Sequence, residues 1–241
     1  MKVCSNVAQT IESNIDTHTF TMGKPHFTWL SEDPEYGPGF DEFMTERRNA
    51  VWEKWFRIYP MADKIRELDT KKDVLLIDIG GGLGFWTKEL QRELGNDVPG
   101  RLIVQDQPHV IQQQDGIETM AYNFFTPQPI KGAQFYFFKQ VIHNWSDIEA
   151  LQILKNTADA MDDTSICLIN DHVLPEEKVS LRISYWDMGM LVLMSGIERT
   201  ESQWVKLVEA AGLRIVRIWY ETNVTGEVTE AVMECRKIKL A

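Results

Sequence analysis

The chain has 241 residues, of which 44% are hydrophobic and 25% are charged, and its formal net charge is −11. This length accommodates one well-buried α/β domain with an N-terminal extension, whereas two full domains would be cramped. Because nucleic-acid backbones and anionic membranes are themselves negative, we expect neither nucleic acid nor membrane as a partner, but a small molecule or another protein.

The first 72 residues differ in pattern from the rest of the chain. Residues 1–24 are polar and threonine-rich, whereas residues 40–68 carry apolar side chains at the mixed three- and four-residue spacing of amphipathic helices. Pro60 is predicted to separate two helices or to start the second. The aromatic side chains of this stretch could form a substrate wall, but their spacing favours core or interface packing; they are Trp52, Trp55, Phe56 and Tyr59.

From Asp73 onward, strand-like and helix-like patterns alternate. The predicted strands cover residues 74–80, 101–106, 118–125, 133–142, 165–174, 213–221 and 230–237. The predicted helices cover residues 84–95, 108–113, 147–161, 182–194 and 201–211. Apolar strands separated by helices indicate a mostly parallel sheet that is covered on both faces. The last two strands are joined by residues 223–226 without room for a helix, which predicts an antiparallel hairpin.

The expected fold is therefore a Rossmann-like, doubly wound, mostly parallel seven-stranded α/β sheet. It ends in a C-terminal antiparallel hairpin and is preceded by a short helical N-terminal segment. No stretch approaches the roughly 18 apolar residues of a membrane span, and the N-terminus lacks the apolar core of a secretory signal. Three cysteines, Cys4, Cys167 and Cys235, lack metal-ligand spacing, and the last two lie in apolar strand-like runs that favour burial. We expect a soluble, cytoplasmic protein without a metal site.

A glycine loop follows the first predicted strand and leads into a helix. It consists of Gly80, Gly81, Gly82 and Gly84, and Asp78 precedes it. Glycines permit positive φ and a close backbone approach to a ligand, and the opening helix favours an anionic group. A dinucleotide fingerprint would need a glycine at Phe85. The G-x-G-x-G spacing instead resembles the S-adenosylmethionine (SAM) loop of Rossmann-like methyltransferases.

Further cofactor residues are predicted where strands end, because ligands of doubly wound sheets lie beyond the carboxyl ends of the strands. Asp106 can accept hydrogen bonds from two ribose hydroxyls, or it can cap a helix that starts at Pro108; the glycine loop favours the ribose role. Asn123 and Phe124 end the third strand, where an amide would meet an adenine edge and a ring its face. Phe124 could equally be a core residue.

Six motifs in a fixed order identify a family resemblance over roughly residues 25–235. They begin at Asp78 (DIGGGLG), Val104 (VQDQPHVI), Phe124 (FFTPQP), Lys139 (KQVIHNWSD), Asp171 (DHVLP) and Gly196 (GIERT). The series closely resembles the catalytic domain of cation-independent, SAM-dependent O-methyltransferases of the plant caffeate and fungal secondary-metabolism type. The resemblance implies SAM as cofactor and a catalytic domain at 73–241, with 1–72 as the remnant of a dimerisation and substrate-cap region.

The resemblance also implies a set of catalytic residues. His143 corresponds to the general base, Asp171 and Glu198 to the acids that orient it, and Lys139 to a position that contacts the cofactor. The chemistry agrees, because a phenol with a pKa near 10 must lose its proton to attack a sulfonium methyl group. Without the resemblance, His143 would be interpreted as a structural histidine. His172 and His109 lack such support and are expected to be structural or exposed.

The predicted helix at 181–194 resembles the substrate-facing helix of the family. Trp186, Met190 and Met194, together with Met188, would give an adaptable wall for a flat aromatic acceptor. Plain core packing is the alternative for each of them. Thr200 followed by Gln203 predicts a capping box that starts the next helix.

The chain departs from the family pattern at three residues and in one region. Asn144 and Asn123 replace aspartates, and Asp171 replaces a longer glutamate, so its contact with His143 is expected to be looser and Glu198 more important. Compared with the family pattern, we expect little of the upstream region in this chain. The pocket is therefore open, closed by residues 1–70, or completed by a second copy or a partner enzyme.

Three functions follow from these residues. The leading one is methylation of a phenolic or enolic hydroxyl of a small secondary metabolite, with His143 as base. The alternatives are a methyltransferase-fold enzyme that catalyses a rearrangement or pericyclic step, and a SAM-binding accessory subunit.

Overall fold

The computed structural model describes most of the chain, with several gaps. It covers residues 6, 17–40, 42, 54–68, 72–95, 98–111, 116–194, 196–221 and 230–239. Cys4, Trp52 and the predicted hairpin connection at 223–226 lie outside these ranges. Within them, no helix combines the length and the apolar character required to cross a bilayer.

Seven strands form one sheet in the order β3-β2-β1-β4-β5-β9-β8. They are β1 (Val74–Ile79), β2 (Arg101–Asp106), β3 (Glu118–Ala121), β4 (Phe135–Lys139), β5 (Ile166–Asp171), β8 (Leu213–Tyr220) and β9 (Ala231–Lys237). The first five are parallel, and β9 pairs antiparallel with both β5 and β8. The predicted sheet and its C-terminal hairpin are confirmed. A separate parallel pair joins β6 (Val173–Leu174) to β7 (Arg199–Thr200).

The helices surround this sheet and occupy both of its faces. They are α1 (Thr17–Met22), α2 (His26–Glu32), α3 (Trp55–Ile58), α4 (Met61–Leu68), α5 (Phe85–Leu94), α6 (Asp147–Ala158), α7 (Leu181–Met194) and α8 (Glu201–Ala210), with a 3₁₀ helix at Ile142–Asn144. Residues 36–40 are also helical. The capping box of Thr200 and Gln203 starts α8 as predicted.

Two predicted elements after β2 are corrected by the structure. The predicted helix at 108–113 is wrong in its described part, because Val110 and Ile111 both donate to the Gln107 carbonyl in a single turn. The predicted strand at 118–125 ends at Ala121, since the chain turns where the Thr126 amide donates to the Asn123 carbonyl.

The alternation of side chains along each buried strand divides the core into two layers. In β4, Phe135 and Phe137 face the layer of α3, α4 and α5, whereas Tyr136 and Phe138 face the layer of α6 and α8. Cys167 and Cys235 are fully buried and opposite each other on β5 and β9, which confirms their interpretation as small core residues.

The aromatic residues of α3 belong to the core. The Trp55 ring stacks on Phe137 with centroids 3.9 Å apart, and Phe56 and Tyr59 are buried in the same layer. Their interpretation as packing residues is confirmed, and a substrate wall made of these three is excluded. Pro60 separates α3 from α4, as predicted.

The direction of the chain across the sheet reverses between β1 and β4. Strands β2 and β3 lie to one side of β1, and β4 and β5 lie to the other. In such sheets the crevice beyond the carboxyl ends of the two central strands receives the ligand. The glycine loop after β1 and the 3₁₀ helix after β4 are therefore on the same edge.

Candidate active site

The glycine loop has a backbone that other residues could not adopt without strain. Gly80, Gly82 and Gly84 have φ of +72°, +59° and +72°. At Gly81, an added Cβ would lie 2.6 Å from Cγ of Asp78. The loop therefore passes directly over the end of β1 and leaves its backbone accessible to a ligand.

Asp106 holds this loop from the neighbouring strand. Its Oδ2 accepts a hydrogen bond from the Gly82 amide at 2.8 Å, and its Oδ1 accepts one from the Gln107 amide at 2.7 Å. The alternative role as a helix cap fails, because the described residues after Asp106 form a turn. The carboxylate is thus at the end of β2, beside the loop, where the ribose role requires it.

Asp78 lies beneath the loop and is buried. Its Oδ2 accepts a hydrogen bond from the Thr87 hydroxyl at 2.6 Å. This bond ties the end of β1 to the first turn of α5, and so it sets the angle at which the loop enters the helix.

Asn123 and Phe124 follow β3 on the same edge. The Asn123 side chain is exposed and accepts from the Phe125 amide at 3.1 Å. The Phe124 ring packs edge-on against Trp145, with centroids 5.6 Å apart. Gln128, a polar residue of the FFTPQP motif, is fully buried and exchanges two hydrogen bonds with Gln105 of β2, which fixes this segment to the sheet.

Lys139 is held more firmly than the sequence indicates. Its ammonium contacts the Asn170 amide oxygen at 2.8 Å and the Glu230 carboxylate at 2.7 Å, and it lies 4.8 Å from the centroid of the Trp86 ring. The Glu230 carboxylate also accepts a hydrogen bond from the Gln140 side-chain amide at 2.8 Å. Sequence reasoning missed Glu230, because nothing in its local pattern links the start of β9 to the end of β4.

His143 lies on the 3₁₀ helix that follows β4 and is 3% exposed. Its Nδ1 is 2.8 Å from Glu198 Oε1, a hydrogen-bond distance. Asp171 Oδ1 is 3.9 Å from the same nitrogen, beyond hydrogen-bond range. All three predicted residues therefore converge, and the looser contact expected for the shorter Asp171 side chain is present.

The pKa values of the two acids are shifted in opposite directions. Burial raises the pKa of Asp171 to about 6, and among the described residues neither of its carboxylate oxygens has a hydrogen-bond partner. Burial also opposes ionisation of Glu198, but the hydrogen bond with His143 and the nearby His172 imidazole outweigh it and hold the Glu198 pKa well below its usual range. Glu198 is thus the stronger acid of the pair.

Helix α7 contributes two side chains to Glu198. The Trp186 indole N–H donates to Glu198 Oε1 at 2.9 Å, and Asp187 Oδ1 accepts from the Glu198 backbone amide at 3.0 Å. Met190 is buried and Met194 is partly buried, whereas Met188 is exposed. The predicted methionine wall is therefore divided between two sides of the helix.

Arg199 anchors the segment that carries His143. It is 1% exposed, and its guanidinium donates to the Trp145 carbonyl at 2.8 Å and to the Asp147 carboxylate at 2.9 Å. Next to it, the Ile197 amide donates to the His143 carbonyl at 2.8 Å. The arginine of the GIERT motif was the signal available in the sequence. Sequence alone did not indicate that this side chain is buried or which groups it contacts.

Of the two expectations for His172, structural or exposed, the structure excludes the exposed one. It is buried, and its Nδ1 lies 3.4 Å from Glu198 Oε1. Together with His143 and Glu198 it forms a group whose potential ligand atoms lie within 4.8 Å of one another, a spacing that a divalent cation could also use. His109, in contrast, is exposed.

The N-terminal helices reach this edge of the sheet. Helices α1 and α2 pack against α7, and the Phe27 ring stacks on Trp145 with centroids 5.8 Å apart. Trp145 in turn contacts Phe124 and Phe125. Residues 17–32 thus cover part of the edge where the predicted site residues lie.

A doubly wound sheet with a glycine loop at its reversal point and an acid after β2 defines the class of Rossmann-like domains that bind nucleoside-containing cofactors. The family model of the O-methyltransferase domain matches residues 5–214. The chain belongs to that family.

Several fungal relatives are similar to this chain. It is 36% identical over 215 residues to demethylsterigmatocystin 6-O-methyltransferase of Aspergillus flavus, covering 87% of this chain and 55% of that protein. It is 35% identical over 204 residues to methyltransferase cfoC of Aspergillus candidus, and the match covers 82% of this chain and 50% of that protein. The stcP demethylsterigmatocystin 6-O-methyltransferase of Emericella nidulans is 34% identical, covering 79% and 93%. The chain spans about half the length of the first two.

Solved structures confirm the fold. LepI in complex with SAM superimposes with a TM-score of 0.85 at 27% identity, covering 98% of this chain and 64% of that one. OxaC in complex with SAH and oxaline superimposes with a TM-score of 0.85 at 25% identity, covering 99% of this chain and 63% of the OxaC chain. A pericyclic reaction enzyme gives 0.82 at 28% identity, covering 98% and 64%.

Proposed function

We propose that this chain carries a SAM-dependent O-methyltransferase activity toward a phenolic or enolic hydroxyl of a small secondary metabolite, with His143 as general base. The observation that carries the proposal is the buried contact between His143 and Glu198, 2.8 Å long, on the sheet edge that also bears the glycine loop. Its named relatives of Aspergillus and Emericella are O-methyltransferases, which supports the reaction class.

The residues of the first half of the sheet fit SAM. The loop from Gly80 to Gly84 has the backbone that a close ligand approach requires, and Asp106 supplies carboxylate oxygens for ribose hydroxyls beside it. Asp78 sets the loop, and Asn123 and Phe124 lie where an adenine would meet an amide and a ring. When bound, SAM supplies an electrophilic methyl group.

The chain's own contribution to the chemistry is proton removal. The Glu198 carboxylate accepts from His143 Nδ1–H, which fixes the tautomer in which Nε2 accepts a proton. After the hydroxyl proton has moved to Nε2, the same carboxylate stabilises the imidazolium, as the acid does in a hydrolase triad. Burial strengthens this attraction, because little water screens it.

A direct test measures methyl transfer from labelled SAM to a panel of phenolic acceptors. We expect His143→Ala to lower turnover by about 10²–10⁴-fold, the usual contribution of a general base, while SAM affinity measured by calorimetry stays the same. His109→Ala is the matched control, since His109 is exposed. Unchanged transfer in His143→Ala would contradict the proposal.

A rearrangement or pericyclic step is the second candidate, and it is supported by the likeness to a pericyclic reaction enzyme at a TM-score of 0.82. The product mass separates the two functions. A gain of one methyl group shows transfer, whereas an isomeric product shows a rearrangement. Cofactor binding without turnover on any acceptor would favour the accessory-subunit alternative.

We also infer that residues 17–32 close part of the acceptor pocket, together with Trp186, Met190 and Met194 of α7. The packing of α1 and α2 on α7 and the stacking of Phe27 on Trp145 support this inference. A homodimer or a partner enzyme would complete the rest, which light scattering of the purified chain can test. A cytoplasmic location remains a prediction.

A further inference from the structure

Gln140 has a backbone conformation that side chains rarely adopt. It directly follows β4, and its φ is +52°, in the left-handed region. Among the described residues, Lys178 is the other non-glycine residue with positive φ, and it is exposed and lies outside the helices and strands. Gln140 is instead partly buried and close to His143 in the chain. Such a conformation is unfavourable for a residue with a Cβ and persists only where the surrounding structure holds it.

Three hydrogen bonds hold the turn at Gln140. Its backbone amide donates to the Asn170 carbonyl of β5 at 2.9 Å. Its side-chain amide donates to Glu230 Oε1 at 2.8 Å, and its carbonyl accepts from the Asn144 side-chain amide at 3.1 Å. The side chain of Gln140 thus ties its own strained backbone to the residue that precedes β9.

Glu230 is itself firmly anchored. Its carboxylate accepts from the Lys139 ammonium at 2.7 Å, and the side chains of this pair are only 7% (Lys139) and 12% (Glu230) exposed. Its backbone carbonyl accepts from the Glu221 amide at 3.2 Å. Water and salt screen a buried pair of charges much less than an exposed one. The Gln140 amide therefore bonds to a fixed group, as a clamp requires.

The turn sets the direction in which the chain leaves β4. Val141, the next residue, packs on the glycine loop, since an added Cβ at Gly80 would lie 2.9 Å from Val141 Cγ2. The 3₁₀ helix Ile142–Asn144, which carries His143, follows at once. A change of φ at Gln140 therefore moves His143 relative to the glycine loop.

We propose that Gln140 is a positioning residue whose left-handed turn, clamped by Glu230, sets the distance between His143 and the ligand held at the glycine loop. The inference rests on the proposed function for its catalytic meaning, but not for the clamp itself. A displacement of about 1 Å between reacting groups can lower a rate by about 10²-fold. The role of Gln140 is thus geometric, and its side chain takes no part in proton transfer.

Three substitutions at this position separate the turn from the side chain. Gln140→Ala removes the bond to Glu230 and leaves the left-handed conformation unfavourable. Gln140→Gly also removes the bond but adopts positive φ without a steric cost. Gln140→Asn tolerates positive φ better than most residues do. Gln91→Ala is the matched control, because Gln91 is exposed on α5.

The first measurement is an NMR spectrum of the side-chain amides of the full chain, labelled with ¹⁵N-asparagine, without any ligand. The Asn144 amide reports the turn because it donates to the Gln140 carbonyl, and its resonance is assigned by its loss in Asn144→Ala. We expect this resonance to shift in Gln140→Ala and in Glu230→Ala, and to stay near its wild-type position in Gln140→Gly and Gln140→Asn. An unshifted resonance in natively folded Gln140→Ala or Glu230→Ala overturns the proposal.

Thermal unfolding covers the case in which Gln140→Ala folds poorly. Gln140→Gly should be more stable than Gln140→Ala, which reverses the order expected where the native φ is negative. The opposite order overturns the proposal, because alanine would then fit the turn.

The second measurement is methyl transfer from labelled SAM to the panel of phenolic acceptors. We expect kcat of Gln140→Ala to fall by about 10–100-fold, with little change in the KM of the acceptor or in SAM affinity measured by calorimetry. Gln140→Gly and Gln140→Asn should recover most of kcat, and Gln91→Ala should match the wild type. Equal losses of kcat in the Ala and Gly variants overturn the proposal. So does a normal kcat in Gln140→Ala when its Asn144 resonance has shifted.

Failure of this inference and failure of the proposed function are distinguishable. The NMR and unfolding measurements need no methyl acceptor, so the expected pattern of shifts without methyl transfer would leave the clamp intact and remove the function. Methyl transfer that is indifferent to Gln140→Ala would leave the function intact and remove the inference.

Discussion

The two halves of the candidate site are built in different ways. The cofactor half centres on a run of consecutive residues from Asp78 to Gly84, which the Asp106 carboxylate of the next strand holds in place. The proton half joins His143, Asp171, His172, Trp186 and Glu198, which come from four separate segments. The first half depends on backbone shape, and the second depends on buried charge.

This difference determines how each half should fail. A backbone loop fails when a side chain intrudes or when its supporting carboxylate is lost, and the sheet beneath it can survive. A buried charge cluster fails when one member is removed and its partner is left without compensation, which is among the most costly changes in a folded protein. Substitutions in the proton half should therefore have larger effects.

The largest effect is expected for Glu198→Gln. The amide keeps the volume but loses the charge and permits the wrong imidazole tautomer, so turnover should fall by about 10²–10³-fold. Fixed-time assays of methyl transfer from labelled SAM measure this turnover. The matched variant Asp171→Asn should cost much less, because Asp171 is too far from His143 to fix its tautomer; a comparable loss in both would refute the unequal roles of the acids.

Next comes Gly196→Ala. An added Cβ would meet the backbone carbonyl oxygen of His143 well inside van der Waals contact, and a backbone atom cannot move away cheaply. We expect the free energy of unfolding to fall by about 2–3 kcal/mol, measured in urea. Gly189→Ala is the control: it lies in α7 with open space around its Cβ position and should be neutral or slightly stabilising.

In the cofactor half, Asp106→Asn should weaken SAM binding by about 10–100-fold, since it removes the charge that holds the Gly82 amide and would accept ribose hydroxyls. Calorimetry measures the affinity. Thermal unfolding of the ligand-free variant should change little. Unaltered SAM affinity would show that the loop is held without this carboxylate.

The last effect is a gain in stability rather than a loss of function, and it concerns Asp171→Asn as a function of pH. Burial raises the pKa of Asp171 to about 6, above its ordinary value of 3.8. The wild-type protein therefore loses stability as pH rises through this range, because a buried carboxylate must ionise. The variant avoids that cost and should be more stable at pH 7 by at most about 3 kcal/mol, with the difference vanishing near pH 4. A difference independent of pH would contradict the assignment.

Sequence patterns predicted the sheet well, because parallel strands buried on both faces leave an unmistakable apolar signature. They also predicted the capping box of Thr200 and the break at Pro60, because each of these features depends only on residues that are close together in the chain. The helix at 108–113 was wrong, since a short segment has no packing requirement strong enough to impose a helical period. The partners of Lys139 and Arg199 were missed because they are far away in the chain.

The sequence by itself determined the fold class and the glycine loop, since local spacing records what consecutive residues must do. The candidate base and acids were implied by the family resemblance that the order of the motifs carries. Tertiary structure decided that Glu198 forms a hydrogen bond with His143 while Asp171 does not, and that the Trp186 indole donates to the same Glu198 oxygen. Distances of 2.8 and 3.9 Å separate a hydrogen bond from a mere neighbour. Such a difference arises only when strands, helices and loops have packed together.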